Sequence, residues 1–347
     1  MARGQGVHTH CAGACPNPKN KRGGLDLKSM SAVLVTGGAG FIGSNLAKSL
    51  VAEGHRVVVL DNLSSGYRYN VESLPQVEFI EGDVRDASLV ARAIDGVETV
   101  FHVAASVGNT RSIEQPLVDS AVNVLGTLNV LEAARARGIN KVVYSSSAGI
   151  FGELKTLPIA EDHPLNPDSP YGVSKLAGEK LCLVYNKLHG MHNVCLRYFN
   201  VYGPNQRYDA YGNVIPIFAN RVLKRQPLTI FGDGDQTRDF VNVRDVAAAN
   251  IQAAAAPGVD GVFNIGSGTR ITINKLARLV QDAGGRQVGV QYGPPRKGDV
   301  RDSLADTSAA SRMFGFVPKV GIEEGLREYM SWIGQDPLTL QQLERGQ

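Results

Sequence analysis

The chain has 347 residues, of which 43% are hydrophobic and 20% are charged, and its formal net charge is +3. These values suit one large α/β unit or two modest domains, and they exclude collagen-like, coiled-coil and wholly disordered chains. No apolar stretch reaches the ~18 residues that a membrane-spanning helix needs. We therefore predict a soluble globular protein without a membrane segment.

The first 30 residues differ in amino-acid composition from the rest of the chain. They hold five basic residues and one acidic residue among Gly, Pro and Asn, and they lack the apolar core of a signal peptide. We interpret residues 1–30 as a disordered extension. The remaining residues have a net charge of −1, which excludes a basic nucleic-acid footprint.

The cysteines bear on compartment and metal binding. The four cysteines, at positions 11, 15, 182 and 195, do not form a disulfide framework, so a reducing, cytoplasmic setting is predicted. Cys11 and Cys15 lie near His8 and His10, but no second ligand-bearing segment accompanies them. We predict no metal site.

Short β-branched runs alternate with helical periods from residue 31 onward. This alternation predicts βαβ units and an α/β fold with a doubly wound, mostly parallel sheet. The strand candidates are Ala32–Thr36, Val57–Leu60, Val77–Ile80, Thr99–Val103, Lys141–Ser146 and Val194–Asn200. The helix candidates are Ile42–Glu53, a stretch near 115–136 with an apolar face formed by Leu117, Ala121, Val124, Leu128 and Leu131, and Tyr171–His189.

From about Val201 the texture changes to prolines, aromatic residues and glycine turns. One further strand is predicted at Val262–Ile265. We therefore predict that the second half forms a smaller unit and contributes one strand to the sheet of the first half.

The first strand leads directly into a glycine-rich turn. Its sequence is Gly37-Gly38-Ala39-Gly40-Phe41-Ile42-Gly43, and a helix follows. Glycines allow a tight turn and let a pyrophosphate approach backbone N–H groups at the positive end of the helix. Asp61 ends the next strand about 20 residues on, where a carboxylate would bind the adenosine ribose. No arginine adjoins Asp61 or Asn62 to receive a 2′-phosphate, so the predicted cofactor is NAD rather than NADP.

This turn suggests how the chain is divided. We predict an NAD-binding Rossmann domain over residues 31–200, completed by about 239–266. The smaller mixed α/β substrate domain would comprise residues 201–238 and 267–335. Asp83 and Val84, after the third strand, would flank the adenine, although Asp83 could equally cap a turn or a helix.

Tyr171 and Lys175 are four residues apart on a predicted helix, so their side chains share a face. A free tyrosine has a pKa near ~10, but an ammonium one turn away and a positive nicotinamide ring would favour its phenolate. Ser147 follows the strand Lys141–Ser146 at the carboxyl edge of the sheet, where it could relay or orient the proton. These three residues predict a poised base. Taken alone, the tyrosine–lysine pair could be an ordinary exposed helix pair.

Together these motifs resemble those of the extended short-chain dehydrogenase/reductase family, in its NAD-dependent epimerase/dehydratase branch, and most closely the nucleotide-sugar 4-epimerases. The segments that carry the resemblance are Thr36–Gly43, Asp61–Asn62, Gly82–Val84, Ser145–Ser147, Tyr171–Lys175 and Arg197–Gly203. The resemblance covers roughly residues 31–332. It implies tightly held NAD, a UDP-sugar substrate, and a homodimer formed through the helices near 115–136 and 171–189.

The resemblance also implies particular contacts. The expected cofactor residues are Gly37, Gly40, Phe41, Ile42, Gly43, Asp61, Asn62, Asp83, Val84, Val103, Ala104, Ala105, Asn123, Tyr171, Lys175 and Tyr198. Asn200, Arg238 and Arg296 would bind the diphosphate region, and Asp299 would bind the uridine ribose. Guanidinium forks suit a diphosphate, although each arginine singly could form a surface ion pair.

The expected reaction is inversion at C4 of a UDP-hexose or UDP-N-acetylhexosamine through a transient 4-keto sugar, with NAD restored at each turnover. Related 4,6-dehydratases and decarboxylases carry acidic residues just after the serine, whereas this chain has Ala148 and Gly149. A reductase that releases NADH is a further alternative. A non-catalytic binding module is disfavoured because Tyr171 and Lys175 are both present.

Two residues bear on the sugar. Ser303 stands where hexose-specific relatives have a bulky aromatic residue, which leaves room for a 2-N-acetyl group. Arg207, seven residues after Asn200, resembles an arginine of UDP-glucuronate epimerases and could pair with the C6 carboxylate. Asn200 itself follows the hexose pattern. Neutral sugars are therefore the first expectation and UDP-glucuronate the alternative, and the sequence does not separate UDP from dTDP.

Overall fold

The computed structural model describes residues 31–208, 213–295 and 300–344. The predicted extension 1–30 and the predicted ligands Arg296 and Asp299 lie outside these ranges. Within them, none of the helices is both long enough and apolar enough to cross a bilayer.

Strands and helices alternate through most of the described chain. The strands are β1 (Ala32–Thr36), β2 (Arg56–Asp61), β3 (Val77–Glu81), β4 (Thr99–His102), β5 (Val142–Ser147), β6 (Val194–Tyr198), β7 (Asn200–Tyr202), β8 (Leu228–Phe231), β9 (Thr237–Arg238), β10 (Phe240–Asn242), β11 (Gly261–Ile265), β12 (Ile271–Thr272) and β13 (Val290–Gly293). The helices are α1 (Phe41–Ala52), α2 (Ala87–Ala93), α3 (Asn109–Glu114), α4 (Pro116–Ser120), α5 (Gly126–Ala136), α6 (Pro170–His189), α7 (Val214–Leu223), α8 (Val243–Ala255), α9 (Ile273–Ala283), α10 (Ser308–Phe314), α11 (Ile322–Ile333) and α12 (Pro337–Glu344).

A seven-stranded sheet of order β11-β6-β5-β4-β1-β2-β3 forms the centre, and all its pairings are parallel. The predicted doubly wound parallel sheet is confirmed. The predicted strand at Val262–Ile265 is β11, which pairs with β6 at the edge of the sheet. The strand order reverses between β1 and β4, and the carboxyl ends of the strands at such a point form a crevice where ligands bind.

Apolar side chains cover both faces of this sheet, as a parallel sheet requires. In β1, Val33 and Val35 pack into one core and Leu34 packs into the other, because successive side chains point to opposite faces. Helices α1 and α8 contact each other in the first core, and α5 and α6 cover the second. A separate core around Phe218 and Tyr329 holds the C-terminal part together.

Helix α6 has clear start and stop signals. The Ser169 hydroxyl accepts a hydrogen bond from the Gly172 N–H at 3.1 Å, Pro170 occupies the first turn, and Gly190 ends the helix in the left-handed region at φ 66°. The helix predicted near 115–136 is interrupted instead. A π-helical turn at Ala121–Leu125 separates α4 from α5.

The apolar face predicted there packs on the core over only part of its length. Leu131 is fully buried, whereas Leu117 is 85% exposed. The extra residue of a π turn shifts the helical register, so one spacing pattern does not keep a single face across it.

Candidate active site

The glycine turn packs against the segment that follows β4. Gly37 has φ +68°, and a Cβ placed on it would lie 2.7 Å from the Ala104 backbone. A Cβ on Gly43 would lie 2.1 Å from the carbonyl oxygen of Gly37. Only glycine fits either position, so the two residues bring strand, turn and helix into close contact. Val103 and Ala104 thus lie beside the turn, and the Val103 N–H donates to the Thr36 carbonyl at 3.2 Å. The contacts of Val103, Ala104 and Ala105 with the cofactor stay predictions.

The start of α1 is suited to an anion. Gly40 is its N-cap, no side chain caps the helix, and no acidic residue lies in the first turn. The first N–H groups of a helix have no partner within the helix, and the helix dipole makes this end positive. The N-terminal residues Phe41 and Ile42 therefore fit the pyrophosphate of a dinucleotide.

Asp61 ends β2 next to this turn. One carboxylate oxygen accepts a hydrogen bond from the Ala39 N–H at 2.9 Å and the other from the Leu63 N–H at 2.8 Å. Burial raises the pKa of Asp61, and these backbone hydrogen bonds partly offset the shift. Asp61 thus shapes the turn itself, in addition to its predicted role toward a ribose.

Asp83 lies beside Asn62, whose side-chain amide donates to it at 2.7 Å. Hydrogen bonds from Arg85 are the main reason that the pKa of Asp83 falls to about 2. The prediction of NAD considered only an arginine next to Asp61 and Asn62 that could receive a 2′-phosphate, and it did not consider Arg85. Arg85 forms an ion pair with Asp83 at 2.8 Å. The alternative role of helix cap belongs to Asp86, which accepts from the Ser88 and Leu89 N–H groups at the start of α2.

Val84, the second residue predicted at the adenine, is 5% exposed and lies in the core. A Cβ on Gly126, at the start of α5, would come within 2.6 Å of it.

The structure brings Ser147, Tyr171 and Lys175 together at the carboxyl end of β5. A Cβ placed on Gly149 would lie 3.3 Å from Ser147 Oγ and 3.7 Å from Tyr171 Cε1, and Ser147 Oγ accepts a hydrogen bond from the Gly149 N–H at 3.1 Å. Lys175 is 2% exposed, and its Nζ lies 4.5 Å from the centre of the Tyr144 ring. Ser147 and Tyr171 thus lie close together, and Lys175 follows Tyr171 by one turn of α6. The joint action of the three as a base stays a prediction.

The electrostatics of this trio differ from expectation. Burial raises the pKa of Tyr171, and the hydrogen bond from Ser147 offsets only part of the shift. Burial lowers the pKa of Lys175 to about 8. In the protein without its cofactor, desolvation therefore dominates the pKa of Tyr171. The joint effect of Lys175 and a positive nicotinamide ring stays a prediction.

A polar network lies between α6 and the π-helical turn. The Asn123 amide donates to Asp119 Oδ1 at 3.0 Å and to Ser174 Oγ at 2.9 Å, and its oxygen accepts from the Ser106 N–H at 2.8 Å. Asn123 was predicted to contact the cofactor, but these bonds use its amide within the protein. Asp119 was not predicted. It is fully buried, and its charge raises the pKa of both Tyr171 and Lys175.

The sequence contains the spacings that underlie this polar network. Asp119 and Asn123 are four residues apart, and Ser174 adjoins Lys175. Only the tertiary contact between α4 and α6 identifies the three as one network.

Tyr198, also predicted at the cofactor, is 6% exposed. Its hydroxyl hydrogen-bonds Ser145 at 3.1 Å and Asn250 at 3.0 Å, and burial raises its pKa to about 12. The hydroxyl is therefore held inside the protein, between β5, β6 and α8.

Three of the predicted substrate residues lie near one another in the C-terminal part. The Asn200 amide donates to the Asp239 carbonyl at 3.0 Å, and Arg238 donates to the Thr237 carbonyl at 2.8 Å. Ser303, 6% exposed, donates its N–H to the same Thr237 carbonyl at 3.2 Å.

Arg207 does not point to a substrate. Its guanidinium forms a two-pronged pair with Asp336, at 2.9 and 2.6 Å, and donates to the Asn70 side chain at 3.0 Å. The side chains of Arg207 and Asp336 are 5% and 0% exposed. The predicted contact with a C6 carboxylate was wrong, because a carboxylate of the chain itself already fills the fork.

Metal chemistry has no candidate centre in the described part of the chain, where no group of three or more His, Cys, Asp or Glu side chains could hold an ion.

The chain belongs to the NAD dependent epimerase/dehydratase family, whose model matches residues 33–266. The resemblance inferred from its motifs is thus confirmed, and NAD is the cofactor. A putative UDP-glucose 4-epimerase of Methanocaldococcus jannaschii is 41% identical over 309 residues, which cover 88% of this chain and 100% of that protein.

Two solved structures are similar over almost their full lengths. The UDP-glucose 4-epimerase of Thermus thermophilus, in complex with NAD, is 42% identical with a TM-score of 0.79, over 87% of this chain and 98% of that one. The UDP-N-acetylglucosamine 4-epimerase of Methanobrevibacter ruminantium, in complex with UDP-N-acetylmuramic acid, is 35% identical with a TM-score of 0.85, over 88% and 99%.

Proposed function

We propose that Tyr171 is the proton-transferring base of this UDP-sugar 4-epimerase, assisted by Ser147 and Lys175. The enzyme is an isomerase that inverts C4 of a UDP-sugar, the activity named for relatives that match along nearly their whole length. The observation that carries the catalytic assignment is that Ser147 Oγ and the Tyr171 ring both lie against Gly149 at the carboxyl end of β5, with Lys175 one helical turn after Tyr171.

Each residue of the trio has a distinct task. NAD, when bound at the glycine turn, supplies the site that accepts and returns the hydride, and its positive ring favours a phenolate. Tyr171 takes the proton of the sugar 4-hydroxyl and returns a proton to O4 once the 4-keto sugar has turned its opposite face to the cofactor, where C4 regains its hydride. Ser147 donates to the Tyr171 oxygen, and the Gly149 N–H holds Ser147 in place for that bond. Lys175 contributes its positive charge most fully below pH 8.

The substrate proposed is a neutral UDP-hexose or UDP-N-acetylhexosamine. Ser303 is small, and relatives acting on both kinds of sugar are named as such. UDP-glucuronate is the weaker candidate because Asp336 occupies the Arg207 fork. Ala148 and Gly149 leave the site without a carboxyl group beside Ser147, which disfavours dehydration and decarboxylation.

The division of labour along the chain is part of the proposal. Residues 31–200, with about 239–266, would hold NAD, and residues 201–238 and 267–335 would hold the sugar nucleotide. The separate apolar core around Phe218 and Tyr329 supports this division.

Two copies of the chain are proposed to associate through α4, α5 and α6. Apolar side chains are exposed on these helices and on the π-helical turn between α4 and α5: Leu117, Leu125, Val173, Val184 and Leu188. Exposed apolar patches of this kind mark association surfaces. Light scattering should give twice the chain mass, and Leu117→Asp combined with Leu188→Asp should give the monomer. A cytoplasmic location is proposed because Cys182 and Cys195 are free thiols.

The activity test uses the purified protein with no added cofactor. UDP-glucose, UDP-N-acetylglucosamine and UDP-glucuronate are each incubated with it, and the anomeric proton is followed by NMR. The expected products are the C4 epimers of the neutral sugars. A 4-keto-6-deoxy sugar or a pentose would contradict the proposal, and a strict need for added cofactor would favour the reductase.

Tyr171→Phe tests the base. Turnover should fall by about 10²- to 10⁴-fold, the usual contribution of a positioned acid–base group, while bound NAD is retained. Tyr185→Phe is the matched control, since its hydroxyl contacts Glu132 away from the site. Full turnover by Tyr171→Phe would refute the assignment.

A further inference from the structure

Arg207 is the centre of a cluster that joins three distant parts of the chain, called here the Arg207 hub. The members are Arg207, its ion partner Asp336, its hydrogen-bond partner Asn70, and the rings of Tyr67 and Trp332. The guanidinium carbon lies 4.6 Å from the centre of the Tyr67 ring and 5.5 Å from that of Trp332. A permanently charged, almost fully buried arginine with every side occupied has little freedom to move.

One end of the hub reaches the glycine turn. The Asn70 amide donates to the Ala39 carbonyl at 2.8 Å, and the Tyr67 N–H donates to the same carbonyl at 3.0 Å. On its other side, the Ala39 N–H donates to Asp61 at 2.9 Å. Ala39 lies between Gly38 and Gly40, so the hub holds the middle of the turn.

Arg207 helps to hold the Asn70 amide in the orientation that donates to the turn. Arg207 donates to the Asn70 oxygen, and this leaves the NH₂ group toward the Ala39 carbonyl. The Ala39 carbonyl only accepts, so it favours the same orientation, and the guanidinium adds to this preference by satisfying the amide oxygen on the opposite side.

The other end of the hub lies at the C-terminal helices. Asp336 accepts from the Thr339 N–H at 2.9 Å and from its hydroxyl at 2.8 Å, at the start of α12. Trp332, on α11, packs beside Tyr329, whose hydroxyl donates to the Gln206 carbonyl at 2.7 Å. A continuous set of buried contacts thus runs from α11 and α12 to the glycine turn.

We propose that Arg207 is a positioning residue through which the C-terminal helices hold the glycine turn in its NAD-binding conformation and slow the release of NAD. This inference rests on the proposed assignment of NAD to that turn. It gives Arg207 a role in retaining a cofactor that must remain bound between the two hydride transfers.

Release of NAD is the main measurement. Protein carrying NAD is diluted into an enzyme that destroys free NAD, and the NAD still bound is measured over time. Asn70→Ala keeps the Arg207–Asp336 pair and the Tyr67 N–H bond to Ala39, and it removes the side chain that joins Arg207 to the Ala39 carbonyl, so release should accelerate about ten-fold. Arg207→Met should accelerate it at least as much. Arg244→Ala, which breaks an exposed ion pair with Glu324 on α11 and touches no member of the hub, should stay within about two-fold of the wild type.

Trp332 gives a second readout because it is the single tryptophan of the chain. Adding NAD to protein stripped of it should change the Trp332 emission in the wild type and leave it unchanged in Asn70→Ala. A loss of folding stability alone would not remove this response.

Asp61→Ala separates failure of this inference from failure of the site assignment. If Asp61→Ala accelerates release but Asn70→Ala and Arg207→Met do not, NAD binds at the turn and the coupling is refuted. If none of the three accelerates release, the turn does not hold NAD and both proposals fall. A wild-type Trp332 emission that ignores NAD would likewise overturn the coupling.

Discussion

Two buried arginine–carboxylate pairs allow the nucleotide side and the C-terminal side of the molecule to be compared. Arg197 on β6 pairs with Glu179 on α6 at 2.7 Å, and Arg207 pairs with Asp336 at 2.6 Å. All four side chains are at most 5% exposed. The first pair joins β6 to α6, the helix that also carries Tyr171, whereas the second joins a loop to the start of the C-terminal helix α12.

The comparison shows that a buried arginine–carboxylate pair does not by itself tell whether the arginine serves the fold or the site. In a regular element, neighbours follow from sheet register and helix face, so a buried arginine such as Arg197 meets a partner across the core. In a loop, the fork of Arg207 could reach a substrate or another part of the chain, and spacing along the sequence does not distinguish the two. The partner decides the role.

Removing one partner from either pair should produce the largest effect. Glu179→Gln and Asp336→Asn should each lower the free energy of unfolding by about 3–5 kcal/mol, because each leaves a buried guanidinium uncompensated. Urea unfolding of the NAD-free protein measures this. Arg244→Ala is the control: it breaks an exposed pair with Glu324, 48% and 58% exposed, which should matter by at most about 1 kcal/mol.

Turnover should separate the two pairs. Glu179→Gln should also lower kcat, since Glu179 is one turn from Lys175 on α6 and receives a hydrogen bond from Ser146 on β5. Asp336→Asn should keep its kcat at saturating NAD. Equal loss of kcat in both variants would show that the two regions do not differ as described.

The pH dependence of stability should identify Lys175 as a buried ammonium on the nucleotide side. Its pKa in the folded protein is about 8, against an ordinary value of 10.5. Below pH 8 the cost of burying the charge is fully present. Between pH 8 and 10.5 the unfolded chain holds more protons, so stability rises with pH.

The gain should be on the order of 3 kcal/mol when NAD-free wild type is compared with Lys175→Met by unfolding at each pH. Lys141→Met is the control, because burial also lowers the pKa of Lys141 but its Nζ donates to the Ala256 carbonyl at 2.6 Å outside the site. A wild-type curve parallel to that of Lys175→Met across this window would contradict the low pKa.

Asp119→Asn should shift the pH profile of catalysis. The Asp119 charge raises the pKa of Tyr171 and of Lys175, so its removal should move both limbs of kcat/KM to lower pH, by roughly one unit or less. Ser174→Ala is the matched control, since it removes a hydroxyl from the same network without changing charge. Identical profiles for wild type and Asp119→Asn would show that Asp119 is structural only.

The parts of the site that sequence could predict are those that depend on local spacing. Gly37 to Gly43 form one turn, and Tyr171 and Lys175 share one helix, so a short stretch of chain sets their geometry. Asn123 and Arg207 depend on partners 51 and 129 residues away, Ser174 and Asp336. No local pattern encodes such contacts.

The same limit applies to the fold. The alternation of apolar strands and helices predicts the parallel sheet and even its returning strand β11. It does not predict the π-helical turn at Ala121–Leu125, because that turn depends on the packing of Asn123 and Asp119 against α6.

Tyr198→Phe should have the smallest effect and should sharpen the description of the nucleotide side. Tyr198 adjoins Arg197 on β6, and its hydroxyl bonds only Ser145 and Asn250 among the described residues. Loss of these neutral bonds should lower the free energy of unfolding by about 1 kcal/mol. If the hydroxyl serves the core alone, NAD release and kcat should equal those of the wild type. A faster release of NAD by this variant would instead restore Tyr198 to the cofactor site that the sequence predicts, because the phenyl ring and its packing remain.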